Sequence, residues 1–298
     1  MMIENPPTLA VIGGSGLYSM PGLQEIQEYS LTTPFGKPSA PVIVGTLQGL
    51  RTAFLARHGY GHHISPTEVN YAANIYALKS LGVSRVVSIS ACGSLREDYA
   101  PGDLAIPDQI FDLTRDRRRS FFGDGCVAHI GVADPFCPEL STQLLHACRV
   151  SGAVVHAGGA FITVEGPRFS TKAESNTYRA WGMSLIGMTA SPEAFLAREA
   201  ELCYAVMAHI TDYDVWHIEE TPVSVEAVIA VLNRNTQLAQ QAVANLAREL
   251  AGSPAGEPVA GRSCDCGHAL RNALITNPAA IPPETRQKLD LLVGKYLK

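Results

Sequence analysis

The chain has 298 residues, of which 46% are hydrophobic and 17% charged, and carries a formal net charge of -5. That length buries a sizeable core, and the acidic balance excludes the broad basic footprint of a nucleic-acid binder while leaving room for a small anion held by a few Arg and His. No apolar run reaches the ~18 residues of a spanning helix, the start MMIENPPTLAVIGG lacks the basic-then-apolar order of a secretion signal, and the scattered cysteines make no disulfide framework. A cytoplasmic chain without a membrane partner is expected.

Apolar runs of strand length stand at 9–12, 41–47, 51–56, 83–90, 159–164, 184–188 and 202–210, with helical patterns between them. The alternation predicts an α/β fold, a single domain with a mixed, largely parallel twisted sheet flanked by helices. Ser65, Pro66 and Glu68 supply an N-cap, a first-turn proline and a capping-box partner, and Gly82 a stop, which predicts a helix over 66–81. Further helices are expected at 139–150, 172–181, 192–201 and 224–250. In the last, Val225, Val228, Ile229 and Leu232 recur at three-to-four spacing and predict a core-facing stripe. The segment AGSPAGEPVAG at 251–261 reads as a linker, and helices are expected beyond it at 269–275 and 283–297. That tail is too short to stand alone, so residues 1–250 are read as the main body and 251–298 as a linker and helical appendage of the same domain.

Ligands of open α/β sheets collect at the carboxyl ends of the strands, and four such ends carry polar clusters here. Gly13-Gly14-Ser15-Gly16-Leu17 follows the first run; it lacks the Lys of a P-loop and the spacing of a dinucleotide turn, and reads either as an anion-binding turn or as an ordinary tight turn. Arg57-His58-Gly59 offers a guanidinium suited to bidentate phosphate recognition and an adjacent imidazole donor, or else a surface pair. Ser90-Ala91-Cys92-Gly93-Ser94 adds a hydroxyl and glycine at a third strand end, and three such turns with one Arg point to a shared oxyanion pocket.

The fourth cluster is Thr211-Asp212-Tyr213-Asp214. Two carboxylates at i and i+2 point the same way along extended backbone, and like charges that close raise a pKa, which permits a neutral acid at pH 7. The plainer reading is a helix cap or loop pair. His58, His62 and His63, and Cys264-Asp265-Cys266-Gly267-His268, lack the paired C-x-x-C spacing of structural zinc, so no metal is expected. Cys264 and Cys266 read as a tight disulfide or as packed thiols, and Cys92, Cys137, Cys148 and Cys203 as buried hydrophobes.

Taken in order, GGSGL, ARHG, SPTEVNYAANIYALKSLG, SACGSLREDYAPGD, VEGPRFSTKAES, GMTASPEAFLARE and TDYDVW resemble the methylthioadenosine phosphorylase branch of the trimeric purine nucleoside phosphorylase family, over roughly 9–250. That family cleaves the N-glycosidic bond of a purine nucleoside with inorganic phosphate, within purine and methionine salvage. The resemblance implies that Ser15, Arg57, His58, Ser90, Ala91 and Thr189 hold phosphate. It also places Met188 under the ribose, Phe169 and Ser170 near the base, and Asp212 and Asp214 on the N7 and 6-substituent edge as the catalytic pair.

Glu165 and Arg168 would hold the loop, Val225 and Val228 would face the 5′ substituent, and His129 would be lent by a neighbouring subunit of a homotrimer or of a dimer of trimers. Phosphate is a co-substrate, and no cofactor is implied. Asp212 paired with Asp214 favours a 6-amino purine, since 6-oxopurine members commonly carry asparagine at the position of Asp212. The Cys-x-Cys tail departs from the shorter relatives and resembles some broad-specificity microbial members. The alternatives are a broad purine nucleoside phosphorylase or a methylthioinosine phosphorylase, a nucleosidase using water, and a non-catalytic nucleoside binder.

Overall fold

A computed structural model describes residues 5–14, 20–217, 225–252 and 264–297. Eleven strands among them join one sheet: β1 (Leu9–Gly13), β2 (Gln24–Tyr29), β3 (Val42–Leu47), β4 (Leu50–Ala56), β5 (Arg85–Ser94), β6 (Leu104–Ile106), β7 (Gln109–Asp112), β8 (Val155–Ala157), β9 (Ala160–Thr163), β10 (Leu185–Gly187) and β11 (Cys203–Asp212). Strand β5 is the hub. It runs parallel to β1 and β11 and antiparallel to β10, while β1 continues through β4 and β3 to β2, and β10 through β9 to β7. Parallel pairings outnumber antiparallel ones, which gives the mixed, largely parallel sheet expected.

Six α-helices among the described residues cover both faces: α1 (Tyr71–Ser80), α2 (Pro138–Val150), α3 (Lys172–Ala180), α4 (Ala190–Glu199), α5 (Val225–Ala251) and α6 (Pro283–Val293). Alternation along the strands divides the core in two, because successive side chains leave a strand on opposite faces. In β1, Ala10 and Ile12 pack with Ile75 of α1 and Leu196 of α4, whereas Leu9 and Val11 pack with Leu144 of α2 and Leu246 of α5. Both faces of β1 being buried is why its sequence is an unbroken apolar run. No helix among the described residues is long and apolar enough to cross a membrane.

Helix α1 starts at Tyr71, later than the capping box implied. Ser65 donates to Glu68 Oε2 from both its N–H, at 3.1 Å, and its Oγ, at 2.6 Å, while Glu68 N bonds the Ser65 carbonyl rather than its hydroxyl, so the pair closes one isolated turn. The helix is capped by Asn70, whose side chain accepts from Ala73 N at 3.1 Å. Gly82 ends it as expected, at φ +95, with Val83 N donating back to Leu78 O. Residues 269–275 form turns and a bridge at Leu274 rather than the expected helix. Leu270 and Ala273 are instead drawn into the core beside Leu289 and Leu292 of α6, so burial overrides local propensity there. Residues 253–261 of the linker lie outside the described residues. Cys264 and Cys266 are free thiols, not a tight disulfide.

Helix α5 is where periodicity predicts it, but Val225 and Ile229 at its start do not face the core. Val225 is 57% and Ile229 49% exposed, and the buried stripe runs from Val231 and Asn235 through Ala239, Val243, Leu246 and Leu250. The side chains of Val228 and Leu232 lie outside what is described.

Candidate active site

Parallel register brings three strand ends to one side of the sheet. Gly14 follows β1, Arg57 and His58 follow β4, and Ser90 to Gly93 lie near the end of β5. Strand β11, also parallel to β5, delivers Thr211, Asp212 and Asp214 beside them. Met188 and Thr189 after β10, Phe169 and Ser170 before α3, and Val225 and Ile229 from α5 complete a cavity of about 550 Å³.

Eleven of the expected site residues line that cavity: Arg57, His58, Ser90, Ala91, Phe169, Ser170, Met188, Thr189, Asp212, Asp214 and Val225. Ser15 lies outside the described residues, as does the side chain of Val228. His129 is exposed on its own chain and does not line the cavity.

At the end of the cavity bordered by Arg57, hydroxyls stand beside a buried ion pair. Ser90 Oγ and Thr189 Oγ1 lie 2.6 Å apart. Thr189 stands just ahead of α4, whose helical geometry begins at Pro192 after an extended Ser191. Arg57 differs from the expected bidentate phosphate clamp, because its fork is already spent on Glu193: Nε donates to Oε2 at 2.9 Å and Nη2 to Oε1 at 3.0 Å. Nη2 also donates to Ser88 Oγ at 2.6 Å and Nη1 to Ile89 O at 3.1 Å. Of five guanidinium N–H groups, one Nη1 hydrogen has no partner among the described residues and remains for a ligand. Burial alone would lower the Arg57 pKa, but Glu193 holds it above its ordinary value.

His58 is held neutral. Burial, reinforced by the Arg57 charge, lowers its pKa to about 4. Nδ1 sits 2.9 Å from Ile64 O, a carbonyl that only accepts, so the neutral ring carries its proton on Nδ1 and presents Nε2 as an acceptor. The expected imidazole donor is therefore an acceptor.

The carboxylates sit at a bulge. Between Ile210 and Asp212 the register of β11 against β5 shifts by one residue, leaving Thr211 extra. The chain then turns rather than staying extended: Asp214 adopts φ +52 and donates its N–H to Asp212 Oδ1 at 2.8 Å. Asp tolerates this left-handed conformation better than most residues. Both side chains reach the cavity through this turn. Burial raises the Asp212 pKa, and the neighbouring Asp214 charge adds to that, against hydrogen bonds from Thr211 Oγ1 and Asp214 N. Burial likewise raises Asp214, whose Oδ2 has no hydrogen-bond partner among the described residues. A carboxyl with a raised pKa and a fixed hydrogen-bond frame is a candidate proton donor.

Glu165 is a loop anchor. Its carboxylate accepts from Thr67 Oγ1, Arg115 N, Asp116 N and Arg117 Nε, and these bonds, led by that of Arg115 N, overcome burial to lower its pKa to about 2. Arg168 turns away to pair with Glu174. Sequence reasoning missed Arg117, which donates to Met188 O at 2.6 Å and Ser191 O at 2.9 Å and so fixes the turn bearing Thr189. It also missed His209, 1% exposed, lining the cavity with neither ring nitrogen partnered among the described residues. A lone imidazole inside the run AVMAHITD was the available signal.

Residues 8–248 match the model of the phosphorylase superfamily. S-methyl-5'-thioadenosine phosphorylase of Geobacter sulfurreducens is 52% identical over 290 residues, covering 97% of this chain and 99% of the relative. The Chloroflexus aurantiacus protein of the same name is 53% identical over 97% of this chain and 98% of its own. Among solved structures, methylthioadenosine phosphorylase from an antarctic soil metagenomic library superposes with a TM-score of 0.90 at 43% identity, covering 97% of this chain and 99% of that one. A Schistosoma mansoni adenosine/methylthioadenosine phosphorylase mutant in complex with methylthioadenosine gives 0.79 at 34% identity, covering 83% and 92%. The chain belongs to the phosphorylase superfamily and groups there with the S-methyl-5'-thioadenosine phosphorylases.

Proposed function

We propose that this enzyme phosphorolyses S-methyl-5'-thioadenosine to adenine and 5-methylthioribose 1-phosphate, in purine and methionine salvage. One observation carries the reading: a buried carboxyl pair with raised pKa faces a hydroxyl-lined anion pocket across a single cavity of about 550 Å³. As the C1′–N9 bond breaks, the ribose becomes oxocarbenium-like and electrons flow into the purine. Asp212 gives its proton to N7, and Asp214 accepts from the 6-amino group. Phosphate, bound by Ser90, Thr189, His58 Nε2, the Ala91 backbone and the spare Arg57 N–H, stabilises the cationic sugar and forms the new C1′–O bond. Ser15 is assigned to the same anion by the family pattern.

Met188 floors the ribose, Phe169 and Ser170 border the base, and Val225 with Val228 takes the methylthio end. An apolar end prefers methylthio but rejects a hydroxyl only weakly. The chemistry requires no organic cofactor, and the partners are a small nucleoside and phosphate. We assign the chain to the cytoplasm and to a homotrimer in which His129 of a neighbouring subunit closes the 5′ end.

The test is the initial rate of base release from methylthioadenosine, adenosine, methylthioinosine and inosine, each with and without phosphate. Phosphate-dependent preference for methylthioadenosine is expected. Inosine used equally well refutes the carboxyl-pair assignment, and release without phosphate refutes phosphorolysis.

A further inference from the structure

Four cysteines that the sequence scatters converge in the fold. The sulfurs of Cys137, Cys203, Cys264 and Cys266 all lie within 4.8 Å of one another, and those of Cys203 and Cys264 are 3.4 Å apart. A tetrahedral zinc site with Zn–S bonds of ~2.3 Å spaces its sulfurs about 3.8 Å apart, inside that range. A disulfide demands ~2.05 Å.

Two of the ligands are fixed by main chain. Cys137 precedes the first turn of α2, its N–H bonded to Tyr204 O at 2.8 Å, and Cys203 opens β11 with its N–H on Ser84 O at 3.0 Å. Cys264 and Cys266 come from a short turn at Asp265–His268. Positive charge faces the sulfurs from two sides: Arg198 Nη1 donates to Cys266 Sγ at 3.4 Å, and the N-terminal end of α2 lies behind Cys137. None of the four lines the nucleoside cavity.

We propose that these four sulfurs form a structural site for a tetrahedral, thiophilic cation of the zinc class, which pins the last segment of the chain to the sheet. The sequence argued against a metal because a lone C-x-C lacks a second pair; the fold supplies that pair from α2 and β11. The thiols release their protons to solvent as the cation binds, and a closed four-sulfur shell leaves no position for substrate. A second clamp adjoins it. Glu201 accepts from Leu270 N at 3.1 Å and Tyr296 Oη at 2.5 Å and pairs with Lys295, so cation and carboxylate hold the same segment.

The full chain, purified under reducing conditions, is assayed for bound metal by inductively coupled plasma mass spectrometry. The metal-free reduced chain is then titrated with Co²⁺. The expected result is stoichiometric zinc, with Co²⁺ giving the intense visible bands and thiolate charge transfer of a tetrahedral tetrathiolate, displaced by zinc. C264S and C266S should lose the ion and lower the thermal midpoint, while phosphate-dependent base release below that midpoint stays near wild type. A reduced chain that takes up no zinc and gives no cobalt bands overturns the proposal. So does purified protein in which these sulfurs are paired as disulfides and which binds no zinc after reduction. If the variants fail to fold, the cobalt titration of the unsubstituted chain decides alone.

Discussion

Replacing Glu193 with Gln tests the buried pair on which the proposed anion pocket rests. The carboxylate is fully buried and accepts three bonds: Arg57 Nε at 2.9 Å, Arg57 Nη2 at 3.0 Å and Tyr204 Oη at 2.8 Å. An amide of the same shape keeps one acceptor for Nη2 and Tyr204 but turns an NH₂ against the Nε–H, and it leaves a guanidinium charged and sealed from water. Breaking one partner of such a pair costs about 3–5 kcal/mol. At about 2.1 cal/mol/K per residue, 298 residues carry an unfolding entropy of about 0.6 kcal/mol/K. The thermal midpoint should therefore fall by about 5–8 °C in scanning calorimetry at neutral pH. Saturating phosphate should restore more stability to the variant than it adds to the wild type, because the dianion is the nearest replacement for the lost carboxylate. A fall under about 2 °C would show that the charge finds water or another partner. Equal stabilisation by phosphate in both proteins would refute any reach of Arg57 to the anion.

Asp212→Asn removes the proposed proton donor while keeping its shape, and kcat/KM for methylthioadenosine should drop about 10²–10⁴-fold with the phosphate KM little changed; a loss under tenfold removes Asp212 from the role. His58 and His209 both have pKa values lowered from 6.5 to about 4 by burial. The unfolded chain therefore takes up protons first as pH falls, and each ring withdraws about 3 kcal/mol of stability between pH ~6.5 and ~4. Urea midpoints across that window measure this loss, and His209→Leu should shrink it. Val225→Ser should shift the preference between methylthioadenosine and adenosine by roughly tenfold toward adenosine if Val225 faces the 5′ group, read as a ratio of kcat/KM. Gly93→Ala places a methyl 2.9 Å from Asp212 Oδ1 and 3.2 Å from Asp214 Cβ. It should lower kcat strongly with a small change in thermal midpoint, and unchanged kcat would show that the carboxyl pair tolerates displacement.

The strands that proved readable are those buried on both faces. β1 has no polar residue, and inside β5 and β11 the polar positions are few (Ser88, Ser90, Tyr204 and His209), so both the apolar run and its polar end stand out. β2 has five exposed residues of six and sits at an edge, where polarity protects against unwanted pairing but erases the pattern. β6 and β8 have three residues each, too few to show a period. In α5 the period was right and the partner wrong, since an apolar stripe does not say whether it faces core or cavity. What the sequence withheld were pairings: Glu193 reaches Arg57 across 136 positions and Cys264 reaches Cys203 across 61. No local spacing encodes either contact.

These pairings explain why β5 dominates the site. Ser88 Oγ and Ile89 O fix Arg57, Ser90 Oγ meets Thr189, Cys92 O accepts from Thr211 at 3.2 Å, and the missing side chain of Gly93 admits Asp212. Residues of one strand thus bring the proposed anion pocket and the proposed acid into a single register, and the extra residue at Thr211 turns Asp212 toward that pocket. Because β5 is bonded on both edges, to β1 and β10 on one side and β11 on the other, none of these groups shifts without breaking ladder hydrogen bonds. Rigidity of this kind favours catalysis, since dipoles already aimed at a developing charge need no reorganisation as the bond breaks. Adaptability is left to the cavity wall formed by Phe169, 40% exposed, and the first turns of α5. Differences in substrate choice between relatives should therefore lie in that wall, while phosphate dependence stays fixed by the sheet.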